Sequence, residues 1–377
     1  MSAFNVNLRD SQATQVRPIA PEGFDYAKYE AYEQEQLAKC SAFTAADEGL
    51  LVYRRFRADG VFFDKCRSME DSLRLQLGAL NQSMLYKADI PNFLEPWYGI
   101  GYIATCFGAD YLWQGEQAPY VKPLFEDAQS IIDADPLPIE RTPVGRRNLE
   151  MIEYFLEKTH GRLPVSFSDV QSPLNMLSYL LPIDDLFMQL VEEPDVIREA
   201  ASILTDLLID YLKKQAQLIG NCLCKPGHGF ASSRAFRGVG MSDDLSIMLS
   251  GKDYLSVFAP LDARVGAAFD GMAYHSCGNW ANKIDMVRQL DGLRTVDGAF
   301  SPQTDPIPND PAAFATAFAG KDVVVNARAV GGPEEATGAF AHFLVPGQKL
   351  IAVSYCQTPE EQAKLYDDLH ARWNARA

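Results

Sequence analysis

The sequence has no surplus of positive charge. Its 34 Lys and Arg stand against 50 Asp and Glu, a formal charge of −16, and no Lys/Arg run is long enough to follow a phosphate backbone. Nucleic acid is therefore not an expected partner. Nowhere do 18 apolar residues follow one another, and MSAFNVNLRDSQ at the N-terminus lacks a basic segment leading into an apolar one. Neither a membrane span nor an export signal is expected. The seven cysteines are an odd number without compact spacing, which argues against a disulfide framework and for reduced thiols in a cytoplasmic protein. No GxGxxG follows a strand-like run, which removes the main support for a dinucleotide-binding open sheet.

What is present has a clear order. The first 24 residues are polar, with two prolines, and read as an arm. FDYAKYEAYEQEQLAKCSAF and MEDSLRLQLGALNQSML place apolar residues at helical spacing, so residues 25–86 are expected to be mostly helical. Residues 1–85 are accordingly read as an arm and helical extension, and 86–377 as the main domain. From Asp89 the texture turns to aromatics, prolines and glycines, a strand leading into a loop-built site. RLPVSFSD (162–169) is a second strand candidate. EEPDVIREAASILTDLLIDYLKKQAQLIG is a long helix with Pro194 in its first turn and Gly220 past its end. Its apolar residues at 197, 200, 201, 204, 208, 211 and 212 mark the face that packs on a sheet.

In the last third, MAYHSC, GLRTVDGA, DVVVNARA and KLIAVSY are short apolar or β-branched runs, and each is followed by a helix-start signal. Asn279, Asp310-Pro311, Pro333-Glu334-Glu335 and the capping-box spelling Thr358-Pro359-Glu360-Glu361 supply those signals. Four strand–helix repeats in succession require a parallel sheet with right-handed crossovers. With earlier strands near 89, 165 and 221 the count approaches eight, and the fold class expected is α/β, a (β/α)8 barrel preceded by a helical extension.

In such a barrel the C-terminal strand ends meet at one mouth, where active sites lie. His275 and Cys277 are spaced i, i+2 on one strand and so share a face at its C-terminal end. Cys356 follows the end of the last strand. One imidazole and two thiolates would give zinc three ligands and leave a fourth position open. A rival set, Cys222, Cys224 and His228 in NCLCKPGHG, is read instead as a strand end and turn because of Pro226 and its two glycines. His160, His342 and His370 read as solvated or capping residues.

At these residues the chain resembles a known family. H-S-C-G-N at 275–279, with a cysteine at a later strand end, is similar to the zinc motif of the uroporphyrinogen decarboxylase-like superfamily in its corrinoid-dependent methyltransferase branch. PNFLEPWYGIGYIATCFGA, FSDVQSPLNM, VEEPDVIREAASILTD and GVGMSDDLSIMLSGKDYLSVFAPLDARVGAAF resemble family segments in the family's order, over residues 86–377. The resemblance implies a (β/α)8 barrel with zinc on His275, Cys277 and Cys356. It further implies transfer of a methyl group between a small methyl ether, amine, thioether or thiol and a corrinoid carried by a partner protein. Asp169, Asp243, Asp244 and Asp297 become candidates for catalytic orientation or for bonds to a ligand imidazole. Trp97, Tyr98 and Asn279 are placed as substrate-binding residues. The chain departs from uroporphyrinogen decarboxylase itself: no Arg-Gln-Ala-Gly-Arg stretch occurs to hold a polycarboxylate, and a charge of −16 suits a polyanionic porphyrinogen poorly.

Overall fold

The structure, a computed structural model, describes residues 12–376. All but the last residue of the stretch read above for an export signal lies outside them. The centre is a six-stranded all-parallel sheet. In chain order its strands are β1 (Gly49–Arg54), β2 (Val239–Ser242), β3 (Met272–His275), β4 (Leu293–Ala299), β5 (Val324–Ala329) and β6 (Lys349–Ser354). Their spatial order is β1-β6-β5-β4-β3-β2. The four repeats expected after residue 271 are all present. Helices Pro311–Phe318, Pro333–Ala341 and Pro359–Ala375 each carry a proline in the first turn, and Thr358 and Glu361 close the last with a reciprocal capping box.

Between the edges β1 and β2 the wall is carried by short contacts. Asp89 N–H donates to the Val52 carbonyl. Parallel bridges join Leu94 to Val165 and Val165 to Leu223, and Gly240 N–H donates to Pro226. Backbone bonds thus run from one edge strand round to the other. This is the alternating strand–helix architecture of a (β/α)8-type barrel, with the Leu94, Val165 and Leu223 segments joined by isolated bridges in place of full strands.

The segment read as mostly helical contains helices Tyr26–Ala45 and Met69–Ser83, but between them lies β1, paired residue for residue with β6 from Gly49–Lys349 to Arg54–Ser354. The barrel sheet therefore takes a strand from the stretch before residue 86. GLLVYR is too short to reveal its period, and its side chains are buried on both faces, as in parallel strands generally.

Side chains alternate along each strand. Leu350, Ala352 and Cys356 join the large cluster between sheet and helices, which includes Leu365, Leu369 and Phe340. Ile351, Val353 and Tyr355 join a separate inner cluster with Leu51, Tyr53, Ile90 and Ala231. The long helix Pro194–Ile219 buries Ile197, Ala200, Ala201, Leu204, Leu208, Tyr211 and Leu212, the face read from the sequence. No helix among the described residues is long and apolar enough to cross a membrane.

Candidate metal centre

Parallel register builds the site in a row across the mouth. Ser242 of β2 is opposite His275 of β3, His275 opposite Asp297 of β4, and Asp297 opposite Asn326 of β5. The side chains of His275, Asp297 and Asn326 all point inward. His275 Nδ1 is 2.6 Å from Asp297 Oδ2. Asn326 Nδ2 donates to the other oxygen, and Arg328 Nε bridges both at 2.9 and 3.0 Å. Asp297 is fully buried. Burial alone would raise its carboxyl, but the Arg328 charge and the His275 hydrogen bond outweigh it and hold it below the ordinary carboxylate range.

With Nδ1 engaged, Nε2 faces the mouth. It lies 3.3 Å from Cys277 Sγ and 3.8 Å from Asp244 Oδ1. Asp244 stands in the turn after β2 and accepts the Cys277 N–H at 2.6 Å, so the loop carrying the thiol is tied to the carboxylate. Burial pushes the His275 imidazole down, but the Cys277 charge and the Asp297 hydrogen bond outweigh it and raise it to about 10.

Asp244, His275 and Cys277 present ligand atoms within 4.8 Å of one another, the one such metal-competent group among the described residues. The donors of a tetrahedral zinc site stand about 3.3–3.7 Å apart, given bonds of about 2.0–2.3 Å. The two spacings from His275 Nε2, 3.3 Å and 3.8 Å, are close to this range. The chemistry fits, one neutral imidazole and two anionic donors with the imidazole's far nitrogen on a buried carboxylate.

Cys356 is not part of this group, and parity is the reason. It continues the outward-facing set of β6 and packs in the sheet–helix layer, where burial pushes its thiol up to about 11. Arg54 Nε donates to its carbonyl at 2.6 Å. Strand-end convergence places His275 and Cys356 at one end of the barrel but on opposite faces of its wall. Asp243 also turns outward. It is buried against Tyr254, whose hydroxyl lies within hydrogen-bond distance of both Asp243 and Asp262, and its carboxyl is raised first by burial. Asn279 serves its own turn, accepting from Ala281 N–H and donating to the Pro308 carbonyl.

The rival cysteines do not form a cluster. Cys222 Sγ lies 3.0 Å from the Gly161 carbonyl and Cys224 is buried. His228 belongs instead to a second buried network at the mouth. Its Nδ1 is 2.9 Å from Glu95 Oε1 and its Nε2 is 3.4 Å from Asp169 Oδ2. Trp97 Nε1 donates to Asp169 at 3.0 Å, Gln171 donates to its other oxygen, and Arg55 pairs with Glu95 at 3.2 Å. Asp169 and Trp97 thus meet each other rather than His275. Tyr98 leaves the group to stack on Tyr111. Phe230 packs beside His275, its ring 6.3 Å from the imidazole, and Phe62 packs beside His228, at 4.7 Å. Among the other histidines, His370 lies 2.9 Å from Asp89 Oδ2 and His342 caps a helix end.

The fold and site together define a (β/α)8-type barrel with an imidazole, a cysteine sulfur and a carboxylate gathered at its mouth. The profile of the family described as uroporphyrinogen decarboxylase (URO-D) matches residues 40–227. A methyltransferase from Methanosarcina mazei has a similar structure, with a TM-score of 0.53 at 14% sequence identity, covering 82% of this chain and 86% of that one. No curated protein sequence matches the chain. Residues 40–227, just under half of the chain, are thus similar to the uroporphyrinogen decarboxylase family, and the chain shares its fold with that methyltransferase.

Proposed function

We propose that the protein is a zinc-dependent methyltransferase that moves a methyl group between a small methyl ether, amine, thioether or thiol and a corrinoid carried by a partner protein. The observation that carries this reading is the meeting of Asp244, His275 and Cys277 at the mouth, with Asp297 behind the imidazole. Zinc held there supplies a Lewis-acidic position at which a thiol loses its proton or a methylated heteroatom is polarised.

The chain's own residues prepare that position. Asp297 takes the Nδ1–H of His275 and so leaves Nε2 as the donor. Cys277 and Asp244 bring two negative charges, which offset the ion's charge and favour a bound nucleophile or leaving group over hydroxide. Phe230 walls one side of the imidazole against water.

The arginines at the end of β1 favour methyl transfer over decarboxylation of a polycarboxylate. Arg54 turns outward to the Cys356 carbonyl and over Phe56, Arg55 holds Glu95 and the Gly229 carbonyl, and Arg57 lies over Phe62. Each is engaged by groups of the protein itself.

The test is to load the purified protein with zinc, mix it with reduced corrinoid protein and candidate methyl donors, and follow the cobalt absorbance. Methylation of the corrinoid by an ether, amine or thioether, or demethylation of methylcorrinoid by a thiol, is expected, with loss in His275→Ala. An unchanged spectrum with every donor and acceptor contradicts the reading.

A further inference from the structure

A (β/α)8 barrel is ordinarily filled to its lower end by layers of branched side chains. Here the lower end is open. A cavity of about 590 Å³ lies among the first residues of β4, β5 and β6, the C-terminal turn of helix Tyr26–Ala45 and the 226–237 loop. Thr295 and Val324, small for the layer they occupy, are the inward residues directly beneath Asp297 and Asn326.

The lining reverses the charge balance of the molecule. In a chain with 34 basic and 50 acidic residues, the cavity draws on three cations, Arg237, Arg294 and Lys349, and one carboxylate, Asp322. Lys349 is buried. Its ammonium reaches the Thr44 carbonyl at the helix end and Asp322 Oδ1, at 3.4 and 3.2 Å, and lies over the Phe43 ring. Arg294 reaches the other Asp322 oxygen at 3.1 Å. Asp322 is largely exposed, so solvent weakens its hold on both cations. Arg237 is exposed at the rim. Phe43 and Phe236 form an aromatic wall with ring centroids 6.4 Å apart.

We propose that this cavity binds a small organic anion with an apolar body, an aryl phosphate or aryl carboxylate. Its acid group sits between the Arg237 and Arg294 guanidiniums and its ring lies against Phe43 and Phe236. Two guanidiniums match a phosphate or carboxylate in shape and charge, and the volume falls within the usual range for small-molecule sites. The cavity is at the opposite end of the barrel from Cys277, so the inference stands independently of the reaction proposed above.

Calorimetric titration of the full-length protein with phenyl phosphate, benzoate, inorganic phosphate and benzyl alcohol tests this. Phenyl phosphate or benzoate is expected to bind and to weaken by about tenfold or more in the Arg237→Gln/Arg294→Gln variant, as loss of charge-assisted hydrogen bonds requires. Both residues are at the surface, so the variant should keep its melting temperature. Ala235→Trp, which adds bulk to the cavity lining and removes no charge, is expected to abolish binding as well. Inorganic phosphate and benzyl alcohol, each carrying half of the ligand, are expected to bind at least about tenfold more weakly. The proposal is overturned if neither aryl anion binds at about 10 mM, if binding survives both variants, or if inorganic phosphate or benzyl alcohol binds as well as the aryl anions.

Discussion

Asp297 and His275 face each other in register on adjacent strands, the carboxylate oxygen 2.6 Å from the ring nitrogen that points away from the mouth. The pair fixes which nitrogen His275 offers to a cation. Because Arg328 depends on the same carboxylate, the pair also decides how much charge the barrel interior leaves uncompensated. Asp297→Asn is expected to weaken zinc binding by about 10–100-fold in chelator competition. It should also cost about 3 kcal/mol in denaturant unfolding, because Arg328 is left buried without its partner. Adding Arg328→Met should restore most of the stability and none of the affinity, which separates orientation of the ring from a merely structural role.

The two strand-end thiols should behave differently. Cys277→Ser is expected to lose zinc on gel filtration, whereas Cys356→Ser, on the outer face of the wall, should keep about one zinc per chain. Asp244→Asn should fall between them. The opposite ranking of the two cysteines would mean that Cys356 turns inward when metal is bound.

Acid should unfold the second network in a defined window. Burial raises the Glu95 carboxyl, but the Arg55 charge and His228 outweigh burial and bring it down from 4.5 to about 2. A carboxyl depressed in the folded state contributes stability above its unfolded pKa, and that contribution is lost as pH falls through the folded value. The stability difference between the native protein and Glu95→Gln should therefore be constant above about pH 5 and shrink by about 3 kcal/mol as pH falls toward 2. A difference that is flat across this range would show that Glu95 is not held ionised by the network.

The readable parts of the sequence were those with long, strongly marked periods. The repeats after residue 271 could be seen because each strand runs straight into a capped helix, and the helix Pro194–Ile219 because eleven of its residues are buried along one face. Less legible were β1, which is six residues long and buried on both faces, and the walls at Leu94, Val165 and Leu223, which only two bridges join. His275 and Cys277 could be paired by spacing alone. Cys356 could not be assigned a face, because whether residue 356 continues the inward or the outward set depends on the register of β6 against its neighbours, and a shift of one residue reverses it. Asp244 was visible as a carboxylate, but its approach to His275 depends on β2 lying beside β3. The Glu95–His228–Asp169 network joins residues from three distant stretches, and no local spacing announces it.

The most direct test of the central claim is zinc-edge X-ray absorption on the wild-type protein and on Cys277→Ser. The structure predicts one zinc per chain with a single sulfur at about 2.3 Å and the remaining donors nitrogen or oxygen, the sulfur shell vanishing in the variant. No bound zinc in the wild type, or a sulfur shell unchanged by Cys277→Ser, would contradict it.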